Sequence, residues 1–192
     1  MEEAHAALAG GADILDVKNP KEGSLGANFP WVIRSVADLA GGRVPVSATI
    51  GDLEFKPGTA SLAALGAASS GADYVKAGLL GVKTHDQAEE MLKAIVRAVK
   101  DLDPKKKVVA SGYSDYLRVG SISPMLLPAA ASEAGADVVM VDTAIKDGKP
   151  TFDFMGEKNL ADFIELGHSF DLEVALAGSI GFPHLGTLLR LQ

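Results

Sequence analysis

One stretch of sequence decides the fold class: Gly135-Ala136-Asp137-Val138-Val139-Met140-Val141-Asp142. Its glycine is typical of a helix end, where the backbone takes a left-handed conformation that most residues avoid. The run from Val138 to Val141 is apolar without alternation, as in a strand that is covered on both faces. Such strands belong to parallel sheets wrapped by helices, so the stretch predicts an α/β protein.

The same tripeptide, Gly-Ala-Asp, occurs three times, at Gly11, Gly71 and Gly135, and each copy precedes an apolar run. The copies are 60 and 64 residues apart. Further β-branched runs lie at residues 44–50, 107–111 and 172–177. Six strand candidates therefore recur about every 30 to 35 residues, which is the length of one βα unit.

Helix boundaries fall between these strands. Thr84 and Gln87 have the spacing of a capping box, and a periodic apolar pattern follows as far as Lys100. At Phe29-Pro30 and Ser123-Pro124 the proline stands where the first turn of a helix tolerates it. The chain thus reads as alternating strands and helices.

Two architectures fit this alternation, a doubly wound sheet and a TIM (β/α)8 barrel. Charged residues end several predicted strands, at Asp16 and Lys18, at Lys76 and at Asp142. Barrels collect their chemistry from many strand ends, whereas doubly wound sheets concentrate it at one switch point. We therefore favour the TIM barrel.

The length of the chain bears on how much of a barrel it contains. A barrel typically needs about 250 residues, and this chain has 192. Helical patterns at residues 2–9 and 184–192 lead us to expect one incomplete barrel domain over residues 1–192, without the first strand and the last βα unit. An open barrel exposes strand edges, so we expect it to be unstable or to associate as a homo-oligomer.

Composition excludes several classes of function. The net charge is −7, so nucleic acid is not an expected partner. There is no cysteine, which excludes disulfides, thiolate metal sites and catalytic thiols. No segment has the pattern of a signal peptide or the roughly 20 apolar residues of a membrane span. We expect a cytoplasmic protein without a membrane partner.

Candidate catalytic residues gather at the predicted strand ends. Asp16 and Lys18 are two apart and project to the same side of a strand; Lys76 and Asp142 end other strands, and Lys146 follows within a turn. A lysine among apolar neighbours or beside another cation loses its proton more readily and becomes a nucleophile or base. The set suits imine chemistry on a carbonyl substrate. Any one of these residues could instead be a solvated strand end or half of a salt bridge.

A candidate anion site lies at Gly178 and Ser179, where an apolar strand gives way to small residues before a predicted helix. Backbone N–H groups at a helix start attract anions, and the loop after strand seven binds phosphate in many barrels. If one strand is absent before residue 1, the sixth strand of this chain is strand seven of the barrel, and this loop follows it. The alternative is a tight turn in which glycine serves geometry alone.

Three motifs together resemble one enzyme family. They are Asp16–Asn28, which reads DVKNPKEGSLGAN, Lys76–Leu79, which reads KAGL, and Asp142–Gly148, which reads DTAIKDG. They closely resemble the (5-formylfuran-3-yl)methyl phosphate synthase family, which serves methanofuran biosynthesis. The likeness extends over essentially the whole chain.

The resemblance implies a barrel lyase that condenses two molecules of glyceraldehyde 3-phosphate and needs neither an organic cofactor nor a metal. By position, Lys18 matches the Schiff-base lysine and Lys76 the proton acceptor. Asp142 and Lys146 match active-site positions, and Asp16 is a supporting candidate. Two other functions stay open: an aldolase-like or isomerase barrel for another phosphorylated sugar, and an inactive barrel fragment that acts as a binding or assembly module.

Overall fold

The computed structural model describes residues 1–191, in which six parallel strands form one sheet in the order β1 to β6. The strands are β1 (Leu15–Val17), β2 (Val46–Glu54), β3 (Tyr74–Gly81), β4 (Lys107–Tyr113), β5 (Val138–Asp142) and β6 (Glu173–Leu176). The helices are α1 (Glu2–Ala9), α2 (Pro30–Ala40), α3 (Pro57–Ser69), α4 (His85–Leu102), α5 (Tyr116–Val119), α6 (Leu127–Ala134), α7 (Glu157–Ser169) and α8 (Leu185–Leu188). Short 3-10 turns lie at Pro20–Glu22, Pro124–Leu126, Thr151–Asp153 and Phe182–His184. The predicted α/β alternation is confirmed.

The glycine and threonine signals for helix boundaries act as predicted, whereas the partner of Gln87 differs. Gly11, Gly71 and Gly135 have φ values of +81°, +104° and +77°, in the left-handed region that favours glycine. Thr84 caps α4, since its hydroxyl accepts the Gln87 N–H at 3.3 Å. The Gln87 side chain, however, accepts the N–H of the residue before Thr84, at 3.0 Å. The capping box is therefore displaced by one residue.

The prediction that Lys76 ends its strand is wrong. Strand β3 continues to Gly81, so Lys76 is near its beginning. Beyond it, Ala77 and Leu79 are fully buried among the apolar side chains between sheet and helices. These outward-facing residues continue the strand, while the alternation of side chains leaves Lys76 on the opposite, inner face.

The two faces of the sheet carry two separate apolar cores. The outer face packs against the helices through residues such as Val75 and Val139, together with Ile95 of α4. The inner face has its own smaller cluster, which consists of Leu25, Val109, Tyr113, Val138 and Met140. Because parallel strands are covered on both sides, their sequence is apolar at successive positions.

The sheet is curled, and its inner face surrounds a cavity of about 370 Å³ to which all six strands contribute. Among the described residues, β1 and β6 each pair with a neighbour on one side only. The structure is thus a curled half-barrel with two open edges. The closed ring of eight strands, and the absent first and last units expected from the sequence, stay predictions.

Across residues 1–191, no helix combines the length and the apolar character that crossing a bilayer requires.

Candidate active site

A lysine–aspartate ion pair lies inside the curled sheet. Lys76 Nζ is 2.6 Å from Asp16 Oδ1, and the side chains are 11% and 39% exposed respectively. Ser47 on β2 donates a further hydrogen bond to the same carboxylate, at 2.5 Å. All three residues face inward, because their neighbours on each strand point to the helices. A nearly buried ammonium in contact with a carboxylate can hold and transfer a proton.

A second pair lies at the carboxyl edge of the sheet. Asp142 is the last residue of β5 and its side chain is 5% exposed. Lys146, in the following loop, places Nζ 2.6 Å from Asp142 Oδ1 and 3.2 Å from Thr143 Oγ1. The Lys146 side chain is 41% exposed. Lys146 therefore presents its ammonium to solvent at the carboxyl edge of the half-barrel.

Lys18 follows β1 directly and is exposed. It borders a groove of about 210 Å³ at the edge of β1, together with Asp16 and Asn28. Asp16 lines both this groove and the interior cavity, so it connects the surroundings of Lys18 with those of Lys76. Within residues 1–191 the Lys18 ammonium forms no ion pair, unlike the other two lysines.

The five predicted catalytic residues therefore form two ion pairs and one unpaired lysine rather than one crowded group. By strand register Lys76 pairs with Val109, and Val109 with Val138. Asp142 lies four residues beyond Val138, about 13 Å along the strand direction. The pair of Lys76 is thus inside the half-barrel, and the pair of Lys146 is at its rim.

The turn at Gly178 and Ser179 packs against the rim. Both residues have positive φ, +92° and +52°. A methyl group on Gly178 would overlap Thr143 and Thr151, so glycine is required there by geometry. The next helical turn begins only at Phe182 and α8 has four residues. The helix-start argument for an anion site at Ser179 therefore does not apply, although the turn lies next to Thr143, which contacts Lys146.

Sequence reasoning missed the residues that hold the loop after Lys18. Residues 23–26 of that loop, which we name the cover segment, fold back over the sheet and are attached at three points. Each attachment joins residues far apart in sequence: Ser24 Oγ donates to the Thr143 carbonyl at 2.7 Å, Leu25 N–H to the Asp52 carboxylate at 3.1 Å, and Thr49 Oγ1 to the Gly26 carbonyl at 2.7 Å. The only local signal was the pair of glycines in the loop motif.

Tyr113 is a second unpredicted residue at the site. It is fully buried at the end of β4, opposite Asp142 in the strand register, and its hydroxyl donates to Asp52. Burial above all, and then the negative charge of Asp52, raise the pKa of Tyr113 far above its ordinary value of 10. The tyrosine therefore stays neutral and remains a hydrogen-bond donor. Tyr113 lies an even number of residues after Val109 on β4, so both side chains point to the inner face of the sheet.

The loop that carries Lys146 is also anchored by a buried carboxylate. Asp115 accepts the N–H groups of Ala144 and Ile145 at 2.6 and 3.1 Å, and its side chain is 0% exposed. Arg118 lies 3.5 Å from Asp115. The position of Lys146 thus depends on a residue of the preceding strand's loop.

One group outside the barrel interior could hold a metal ion. His85, Glu89 and Glu133 place one ligand atom each within 4.8 Å of one another, where α4 faces α6. Glu89 also pairs with Lys93, whose ammonium competes with a cation there. This group does not adjoin the two ion pairs of the site.

The sequence of this chain is similar to that of known proteins along its whole length. Residues 1–192 match the family model described as 4-HFC-P synthase. The chain belongs to the 4-HFC-P synthase family. It is 65% identical, over 99% of its length and 81% of the relative's, to a protein of Methanosarcina mazei named (5-formylfuran-3-yl)methyl phosphate synthase. The protein of that name in Methanocaldococcus jannaschii is 58% identical, over 100% of this chain and 81% of the relative. The resemblance predicted from three motifs is confirmed.

Solved structures show the same fold at low sequence identity. The aldolase QR15 has a TM-score of 0.69 at 16% identity and is matched over 99% of this chain and 78% of its own. A 2,3-dimethylmalate lyase, described as a member of the PEP mutase/isocitrate lyase superfamily, has a TM-score of 0.59 at 18% identity, over 97% of this chain and 74% of its own. At this identity the comparison speaks for the fold alone.

Proposed function

We propose that this chain catalyses formation of (5-formylfuran-3-yl)methyl phosphate from two molecules of glyceraldehyde 3-phosphate, within methanofuran biosynthesis. Family membership supports the product. The observation that carries the chemistry is the Lys76–Asp16 ion pair in the interior cavity, with Asp16 also bordering the groove of Lys18. An unpaired lysine beside a proton-transferring pair is the arrangement that imine chemistry needs.

In this proposal Lys18 is the nucleophile. Its amine, once neutral, adds to the aldehyde carbon of the first triose phosphate, and loss of water gives the imine. The absence of a carboxylate partner among residues 1–191 favours this role over Lys76 and Lys146, because an amine that is not engaged with a carboxylate is free to approach the aldehyde carbon. Hydrolysis of the imine at the end of the cycle returns the free amine.

Lys76 and Asp16 move protons. Removal of the proton from the carbon beside the imine gives an enamine, which attacks the aldehyde of the second triose. The two groups lie 2.6 Å apart, so one proton can be shared between them and returned in a later step. Loss of one phosphate and of two molecules of water from the condensed product then completes the furan ring.

We propose that the rim of the barrel binds phosphate. Lys146 offers an exposed cation that Asp142 and Thr143 hold in place, and an ammonium is well suited to a phosphate ester. Gly178 lies against Thr143, so a phosphate on Lys146 would be within reach of the turn formed by Gly178 and Ser179. Family membership and the exposed charge support this placement.

We also propose that the six strands belong to a closed eight-stranded barrel domain. The curled sheet and its two open edges support this, because an exposed parallel edge is costly. Leu15 N–H bonds to β2, so the N–H of the next residue, Asp16, points to the open edge. In a closed barrel hydrogen exchange at this amide should be slow, whereas an open half-barrel predicts fast exchange.

The function is tested with glyceraldehyde 3-phosphate as substrate. The protein should form a furan aldehyde, seen as a new ultraviolet chromophore, with one phosphate released per furan. Borohydride added during turnover should attach the triose to Lys18, located by peptide mass spectrometry. Lys18→Arg should abolish both results, because arginine keeps the charge but forms no imine.

Lys21→Arg is the matched control, since Lys21 is an exposed lysine of the same loop. It should retain activity and borohydride trapping. A different product from the triose would indicate an aldolase or isomerase instead. Active protein with unmodified Lys18 would remove its assigned role.

A further inference from the structure

The cover segment closes the interior cavity from the side of the carboxyl ends. Leu25 is only 1% exposed and belongs to the same apolar cluster as Val109, Val138 and Met140. Those three residues also line the cavity that contains Lys76. The cover segment therefore separates the proton-transferring pair from bulk solvent on that side.

Asp52 and Tyr113 form the joint that fixes this segment. One carboxylate, that of Asp52, accepts both the Leu25 N–H and the Tyr113 hydroxyl. Two glycines make room for it: a methyl group on Gly23 would overlap the Asp52 carboxylate, and one on Gly78 would overlap the Tyr113 hydroxyl. Hydrogen bonds to a charged acceptor are the strong ones. The chain thus reserves space at two positions for this joint.

We propose that Asp52 and Tyr113 are positioning residues that hold the cover segment over the lysine-bound intermediate and thereby prevent premature loss of its phosphate. This rests on the proposed function, in which the intermediate is an enamine of a triose phosphate. Neither residue needs to touch the reacting atoms. Their effect passes through the cover segment and through Lys18, which begins the same loop.

The reaction that the cover segment would prevent follows from the chemistry of the enamine. Its electron pair can expel the phosphate from the neighbouring carbon, so that the C–O bond breaks and the imine forms again. Addition of water then returns the lysine and releases the enol of methylglyoxal, whose hydroxyl proton is exchanged for one on the methylene carbon to give methylglyoxal. One glyceraldehyde 3-phosphate gives one methylglyoxal and one phosphate, with no furan. Closed sites suppress such side reactions by excluding water and restricting the bound intermediate.

The test measures phosphate, furan aldehyde and methylglyoxal in the same reaction. Tyr113→Phe removes only the hydroxyl, Asp52→Asn removes the charge, and Thr49→Val removes the separate bond to Gly26. Wild type should release one phosphate per furan. Each variant should release several-fold more phosphate than furan, with methylglyoxal accounting for the excess. Tyr116→Phe, at a tyrosine three residues along the chain from Tyr113, should behave as wild type.

Two further measurements keep the result decisive. The Leu25 amide should exchange hydrogen faster in Tyr113→Phe and Asp52→Asn, while the amide of Ile95 in α4 should be unchanged. A parallel fall of furan and phosphate at constant ratio would overturn the proposal, because it would report only less folded enzyme. Thr49→Val decides the matter if the other variants do not fold. If the proposed function is wrong, the wild-type protein forms no furan. If only the role of the cover segment is wrong, wild type forms furan and the variants keep the wild-type ratio of phosphate to furan.

Discussion

Replacing Asp16 by asparagine separates the contribution of the interior ion pair to stability from its contribution to catalysis. The change leaves Lys76, whose side chain is 11% exposed, without a counter-charge. Removing one partner of a fully buried pair costs roughly 3–5 kcal/mol, while exposed pairs contribute about 0–1 kcal/mol. Because the Asp16 side chain is 39% exposed, water replaces part of the lost interaction. We expect the free energy of unfolding to fall by about 1–3 kcal/mol.

Lys76→Met and the double variant complete the test. Lys76→Met leaves Asp16 with water and its hydrogen bond from Ser47, so it should cost less than Asp16→Asn. The double variant removes both charges and should recover most of the lost stability, with a coupling energy of about 1–3 kcal/mol. All three variants should form furan roughly 10²–10⁴-fold more slowly, because each disrupts the pair to which we assign proton transfer.

Urea unfolding gives the free energies, and the furan chromophore gives the rates. Asp38→Asn is the control, since Asp38 is an exposed aspartate on α2. If the double variant is as unstable as Asp16→Asn, the unpaired ammonium is not the cause of the loss. Wild-type turnover in Asp16→Asn would refute a role for this pair in the reaction.

Three other variants probe the loops around the site. Asp115→Asn weakens the anchor of the Lys146 loop. It should raise KM for the triose phosphate about tenfold, which corresponds to the loss of roughly one charged hydrogen bond. An unchanged KM in steady-state kinetics would contradict phosphate binding at the rim. At Gly178, with a φ of +92°, an added methyl group would also overlap two threonines, whereas Gly148 has a φ of +86° and open space around it. Calorimetry should therefore show a larger fall in melting temperature for Gly178→Ala than for Gly148→Ala. Equal falls would exclude the overlap with the threonines as a cause of instability. The raised pKa of Tyr113 means that its neutral phenol stabilises the fold fully below about pH 10, the unfolded value, and that this contribution is lost as the pH rises further. Tyr113→Phe should therefore lose less stability than wild type between pH 9 and pH 11, as measured by urea midpoints; parallel losses would show that burial of the phenol is not responsible.

Local patterns in the sequence predicted the layers of this protein because each depends on neighbours a few residues away. Gly135 requires a left-handed backbone, Thr84 reaches an N–H three residues on, and the run from Val138 needs cover on both faces. Such signals are read within one element. The family was likewise predictable, since the motif around Lys18 is continuous in sequence.

The candidate residues were predictable in kind but not in position. Lys76 was expected at the end of a strand, yet β3 continues to Gly81. The glycines and leucines that follow Lys76 are compatible both with a longer strand and with a loop, so the sequence did not locate the end of β3. The sequence did not decide the ion-pair partner of Lys76, since Asp16 and Asp142 both stand at predicted strand ends. Strand register decides between such alternatives, and periodicity does not specify register.

The sequence by itself determined the order of helices and strands, the two-sided burial of the sheet and the family of the chain, because these follow from short-range preferences and contiguous motifs. Only the tertiary structure decided that Asp52 joins Tyr113 across 61 residues and that Ser24 reaches Thr143 across 119. Those contacts depend on the curl of the sheet and on the path of a loop across it. Both are set by the packing of the whole chain, where many weak interactions are satisfied at once.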